Sequence, residues 1–131
     1  MPPMLSSTPL ELLQEADLRP HNTLALPARA RVLAKLRSVE NAVALAADPT
    51  LRSERRFILG GGSNLVLGSH FDGLMLQVAI PGRALVAEDA DAWYVQAGAG
   101  EAWHEFVQWT LAEGWPGLEN LSLIPGSVGA A

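Results

Sequence analysis

Apolar residues fall in short runs along this chain, and the spacing within them changes several times. Residues 31–36 read as a first strand. From Val39 the spacing turns helical: Val39, Val43, Ala46 and Ala47 would share one apolar face, and Ser38 stands where an N-cap belongs. Glu40 and Asn41 occupy the first turn, and Asp48-Pro49 ends the helix, because a residue before proline avoids helical backbone. Phe57-Ile58-Leu59 predicts a second, buried strand. The result is a β-α-β unit with a glycine run at the carboxyl end of its second strand, where α/β sheets characteristically bind ligands. Leu65-Val66-Leu67-Gly68 reads as a strand and a turn. Residues 74–78, 83–87 and 93–97 predict three more strands, separated by Pro81-Gly82 and by the acidic residues 88–91. A helix is expected over about 101–113, with Trp103, Phe106, Val107, Thr110 and Leu111 on one face and Gly114 as its stop. Leu10, Leu12, Leu13 and Leu18, set among acids, predict a short helical pattern within a loosely attached N-terminal arm, residues 1–20.

Between two runs of β-formers lie Gly60, Gly61, Gly62, Ser63, Asn64 and Leu65. Glycines let backbone N–H groups turn together toward a ligand, and a concave row of amides binds anions, phosphate above all. Ser63 and Asn64 add short polar side chains that can bond phosphate oxygens or brace the turn. A glycine-rich hairpin or bulge without a ligand fits these residues equally well. Two other phosphate loops do not fit. The P-loop needs a Gly-Lys-Ser/Thr ending, whereas the chain's single lysine is Lys35. The dinucleotide fingerprint needs a helix directly after the loop, where strand is expected here.

With 131 residues, 49% of them hydrophobic and 18% charged, one globular domain is expected. No apolar run is long enough for a membrane span. The first nine residues lack the basic and apolar regions of a secretory signal, and there are no cysteines, so the cytoplasm is the expected compartment. Residues 1–60 carry 8 basic and 6 acidic side chains, and residues 61–131 carry 1 and 8. That basic half is too dilute for a nucleic-acid footprint, so neither nucleic acid nor membrane is an expected partner. His21, His70 and His104 share no metal-ligand spacing. His104-Glu105 resembles the start of a zinc-protease motif, but Gln108 stands where the second histidine belongs. No metal site and no catalytic acid–base pair is identified. Glu101, Glu105 and Glu113 are expected to be solvated, and the four tryptophans to be core residues.

Residues 117–131 form a second loop of small residues, with Pro125, Gly126, Gly129 and the alanines permitting close backbone approach to a flat ligand. The chain is expected to be cut short there, since a complete domain usually ends in a docked element or polar tail.

Four segments occur in one order: Asn22-Thr23-Leu24; Ile58 to Leu65; Val95-Gln96-Ala97-Gly98-Ala99-Gly100; and Gly117-Leu118-Glu119-Asn120 through Ile124-Pro125-Gly126-Ser127-Val128-Gly129-Ala130. Over about residues 21–131 the chain resembles the N-terminal part of the UDP-N-acetylenolpyruvoylglucosamine reductases (UDP-N-acetylmuramate dehydrogenases) of bacterial peptidoglycan synthesis. The resemblance implies an α+β, vanillyl-alcohol-oxidase/PCMH-type FAD-binding domain of two subdomains, about 21–70 and 71–131, with FAD between them. It assigns the FAD pyrophosphate to Gly60, Gly61, Gly62, Ser63, Asn64 and Leu65. It assigns the approach to the flavin to Ile124, Pro125, Gly126, Ser127, Val128, Gly129 and Ala130. It further implies NADPH as hydride donor and a nucleotide-sugar substrate, reduced at an enolpyruvyl double bond. The family's catalytic groups and substrate-binding domain lie beyond the matched stretch, so the resemblance carries no catalytic residue onto this chain. Another flavoprotein of the same fold, or a noncatalytic nucleotide-binding module, are the alternative readings.

Overall fold

The computed structural model describes residues 8–131; the first part of the expected arm, residues 1–7, lies outside them. Strands β1 (Glu11–Asp17), β2 (Arg29–Leu36), β3 (Arg56–Leu59) and β4 (His70–Val78) form a sheet in the order β1-β2-β4-β3. β1 runs antiparallel to β2, whereas β2, β4 and β3 are parallel. Helices α1 (Val39–Ala47) and α2 (Pro49–Ser53) connect β2 to β3. An antiparallel hairpin of β5 (Arg83–Glu88) and β6 (Trp93–Ala97) and the helix α3 (Trp103–Ala112) follow.

The inner strands β2 and β4 are apolar on both faces, as strands buried from both sides must be. One face carries Ala30, Leu33, Leu59 and Met75, with Ala16, Leu18 and Ala28; the other carries Val32, Ala34, Leu36, Leu74 and Leu76, covered by Leu45 and Leu51 from the helices.

Several expectations are corrected. Residues 10–18 do not form a helix: Glu11–Asp17 pairs along β2 from Glu11↔Lys35 to Asp17↔Arg29, so this part of the arm is stitched into the sheet. Its leucines complete a β surface rather than a helical stripe. β3 and β2 are not neighbours, because β4 lies between them. β3 is therefore an edge strand, and of Phe57-Ile58-Leu59 only Leu59 is buried, Ile58 being 70% exposed. β4 runs from His70 to Val78 within the first sheet.

Residues 65–67 form no strand. Leu59 pairs level with Gln77 in the parallel β3–β4 register, so the connection must run back along about seven residues of β4 before His70. That is roughly 23 Å at strand rise. Ten extended residues can reach ~35 Å, while ten helical residues would cover only about 15 Å. Extended, unpaired backbone is the form that fits, and Leu65 and Leu67 are apolar because they pack on the sheet face they cross.

Helix α1 begins as expected, with Ser38 Oγ accepting from Asn41 N–H at 3.1 Å. Its inner face is Asn41 and Leu45 rather than Val39, Val43, Ala46 and Ala47; Val39 and Val43 are over 60% exposed. The buried Asn41 amide turns the helix this way: Oδ1 accepts from Arg37 N–H at 3.0 Å and Nδ2 donates to Thr8 O at 2.7 Å. Asp48 then caps α2 through Thr50 and Leu51 N–H. In α3, Phe106, Val107 and Thr110 are buried, while Leu111 and, on the hairpin, Trp93 are both 43% exposed.

Candidate functional site

The loop of residues 60–65 leaves the carboxyl end of β3, the strand end at which α/β sheets offer ligand sites. Its shape is set from behind. Gly62 has φ +70°, and a Cβ there would stand 2.8 Å from Asn22 Cα and 2.9 Å from the His21 carbonyl carbon. Asn22 is buried and ties its own segment together: Nδ2 donates to Leu18 O at 2.8 Å and Leu26 O at 3.2 Å, and Oδ1 accepts from Leu26 N–H at 2.9 Å. Thr23 N–H donates to Gly62 O at 3.0 Å. The Asn22-Thr23-Leu24 segment is thus the back wall of the glycine loop.

The second loop is pinned to the start of α3. Trp103 N–H donates to Gly126 O (3.0 Å), Val128 N–H to Glu101 O (2.8 Å) and Gly129 N–H to Ala99 O (3.0 Å). Behind these, Gly98 and Gly100 pack backbone on backbone against residues 79–81, where any Cβ would lie within 3 Å of main-chain atoms. Glu101 closes the same corner. Its carboxylate accepts from Gly82 N–H and Arg83 Nε, both at 2.7 Å, and those two bonds hold it below the usual carboxylate range. Glu101 is therefore engaged rather than simply solvated, and it precedes α3 instead of lying on it. His104 Nδ1 receives Leu123 N–H at 3.2 Å and Ser122 Oγ at 2.8 Å, and Trp103 Nε1 donates to Leu121 O at 2.7 Å, fixing residues 121–123.

These anchors bring the two loops face to face. Ser127 Oγ lies 3.3 Å from where a Cβ on Gly60 would stand, and Ser63 Oγ lies 3.5 Å from that of Gly126. Two recesses open along the seam. One, of about 350 Å³, is lined by Gly61, Ser63, Gln77, Val78, Ala79, Gly100, Ala102, Gly126 and Ser127. The other, of about 160 Å³, is lined by Ile58, residues 60–65, Gly126 and Ala130. Gly61, Ser63 and Gly126 border both.

Of the residues singled out from sequence, Gly60, Gly61, Gly62, Ser63, Asn64, Leu65, Gly126, Ser127 and Ala130 line this seam. Ile124 and Pro125 lie exposed before it, and Val128 and Gly129 serve to pin the second loop; a Cβ on Gly129 would stand 2.8 Å from Ala99 Cβ. Gln77, Val78 and Ala79 were missed, since an ordinary strand end carries no local signal of the cavity it borders. His21, which the sequence places in no metal-ligand pattern, borders this region as well. Its Nδ1 lies 3.0 Å from Gln77 Nε2, and burial together with nearby Lys35 pushes its pKa below the ordinary value, against the pull of Asp17.

The residues of the seam suit an FAD. Gly61 has nothing within 4 Å of the position a Cβ would take and borders both recesses, which leaves backbone open to an anion. The facing residues are small, as close approach by a flat group requires. The donor set and the shape fit. Among the described residues no group of acidic or histidine side chains could hold a metal ion, and no helix is long and apolar enough to cross a membrane.

Residues 30–131 match the FAD binding domain family. The chain is 67% identical over 115 residues to a UDP-N-acetylenolpyruvoylglucosamine reductase of Dechloromonas aromatica (strain RCB), a match covering 88% of this chain and 33% of that protein. It is 61% identical over 127 residues to the reductase of Azoarcus sp. (strain BH72), covering 94% and 37%. The chain thus spans about a third of the length of these relatives. The crystal structure of UDP-N-acetylenolpyruvylglucosamine reductase (MurB) from Thermus caldophilus superposes with a TM-score of 0.62 at 27% identity, over 93% of this chain and 40% of that one. With the family matched over more than three quarters of its residues, the chain belongs to the FAD-binding domain family.

Proposed function

We propose that this chain is the FAD-binding part of a UDP-N-acetylenolpyruvoylglucosamine reductase, acting in the cytoplasm in peptidoglycan synthesis. The observation that carries the reading is the meeting of two small-residue loops, 60–65 and 126–130, from distant parts of the chain, along one seam. The similarity to reductases over nearly its whole length supports it.

In this reading Gly60–Leu65 would hold the pyrophosphate by main-chain N–H groups, with the Ser63 and Asn64 side chains beside them. Gly126, Ser127 and Ala130 would give the flavin close access. A bound FAD would supply hydride transfer between NADPH and the enolpyruvyl group of a UDP-sugar. The chain's own residues orient: the wall at Asn22, the Glu101–Arg83 corner and the bonds to Gly126 and Val128 keep two distant segments at a fixed separation. No residue here is assigned the proton transfer to the substrate, so the 131 residues alone are expected to lack reductase activity. Enolpyruvyl-dependent NADPH oxidation by the purified chain would overturn that expectation.

Titration of the purified chain with FAD, followed by flavin fluorescence, tests the site. Saturable binding that ADP competes away is expected, since the pyrophosphate is common to both. Binding insensitive to ADP would move the pyrophosphate off the first loop.

A further inference from the structure

Gln77, on the recess-lining end of β4, carries a side-chain amide that donates from Nε2 toward His21 Nδ1 across 3.0 Å. An amide NH₂ only donates, so this orientation of Gln77 requires His21 Nδ1 to accept, that is, a neutral imidazole with its proton on Nε2. With the NH₂ turned to His21, the Gln77 carbonyl is the group left for the recess. His21 itself is held in place: its N–H donates to Leu18 O at 2.9 Å, and its carbonyl abuts Gly62. The residue supporting the glycine loop is therefore the residue that orients Gln77.

We propose that Gln77 is a flavin-facing residue offering a carbonyl acceptor to a donor on the ligand, and that neutral His21 is its positioning residue. The assignment rests on the flavin reading of the recess. Protonated, His21 would present N–H at Nδ1; the Gln77 amide would turn over to accept it, and NH₂ would then face the ligand's donor. The charged groups around His21 are Lys35, level with Gln77 on β2, Asp17 at the end of β1, and Glu11, which lies 3.7 Å from Lys35. Burial and Lys35 favour the neutral ring and Asp17 opposes them, so the orientation holds at neutral pH and fails as pH falls through a midpoint below 6.5.

Two measurements on the 131-residue chain decide it. Without ligand, ¹⁵N NMR should show the Nε2–H tautomer of His21 above pH 7, with the Gln77 side-chain amide signals shifting at the same midpoint as the ring. An Nδ1–H tautomer, or Gln77 signals that ignore the ring, overturns the pairing. With ligand, FAD affinity should weaken about tenfold below that midpoint, the size of one lost hydrogen bond. The pH profile should become flat in His21→Gln and in Gln77→Leu. Binding with a flat wild-type profile overturns this proposal alone. No FAD binding at any pH overturns the flavin reading and the proposal with it.

Discussion

Adjacent glycines at 61 and 62 should respond in opposite ways to the same added methyl. At Gly62 an alanine meets two costs. A non-glycine residue at φ +70° loses about 1–2 kcal/mol. Its Cβ would also press on the His21 and Asn22 backbone, which cannot swing aside because the Asn22 amide holds that segment through three hydrogen bonds; such overpacking costs about 1–3 kcal/mol. The sum, about 2–5 kcal/mol, is a large share of an ordinary domain's stability. At roughly 4 °C per kcal/mol, Gly62→Ala should melt about 8–20 °C below the parent. At Gly61 a Cβ meets nothing within 4 Å and the backbone is not left-handed. Gly61→Ala should leave stability unchanged to within about 0.5 kcal/mol, whereas Gly61→Val should weaken FAD binding at least about tenfold by filling the space between the recesses. Circular-dichroism melts read the first difference and flavin fluorescence titrations the second. A Gly62→Ala protein melting with its parent would refute the account of the loop wall. A folded Gly61→Val protein binding FAD normally would refute the placement of the pyrophosphate.

The other expectations concern what holds the seam in place. Asn22→Ala strands Leu26 O and Leu26 N–H and leaves Leu18 O with only its bond from His21 N–H, and should cost about 2–4 kcal/mol in urea unfolding; an unchanged midpoint would deny the amide its structural role. Leu59→Ala, at a fully buried position under the glycine loop, should cost about 2–5 kcal/mol in the same assay. Glu101 is held below its unfolded value, so its contribution is complete above about pH 5 and is lost as pH falls through the folded value beneath 4.5; the acid limb of stability should flatten in Glu101→Gln. The exposed Ile58, Val66, Val86 and Leu123 side chains favour self-association, which sedimentation velocity should show as a rising mean coefficient with concentration.

Regular elements were legible in the sequence wherever local spacing and capping agreed. Ser38 marked the start of α1, and short runs of β-formers bounded by turn residues marked β2, β5 and β6. What local patterns could not show was which element a run would meet. Leu65 and Leu67 are apolar because they cross a sheet face, and Leu10–Leu13 because a strand needs them; in both, long-range pairing decided the conformation. The α1 stripe misled because one buried asparagine, bonded to Thr8 and Arg37, outweighed four exposed aliphatics. The glycine loop and the Gly126 loop were visible as motifs. Their meeting was not, because it depends on backbone bonds to residues 99–103, and neither was Gln77, which gains meaning only from the histidine 56 residues before it.

The strand order has a consequence for biogenesis. β2 and β3 have no direct pairing, since each bonds to β4, which is made last of the four. A growing chain that has exposed only its first 69 residues can close the β1–β2 pair, but β3 has no partner yet. Parallel contacts between segments about 40 residues apart are slow to form, because chain entropy is spent before they reward it. Arrival of β4 therefore completes the sheet and, in the same step, ties down both ends of the crossing segment that contains the glycine loop. Folding of the frame and shaping of the loop are one event, timed by translation of residues 70–78.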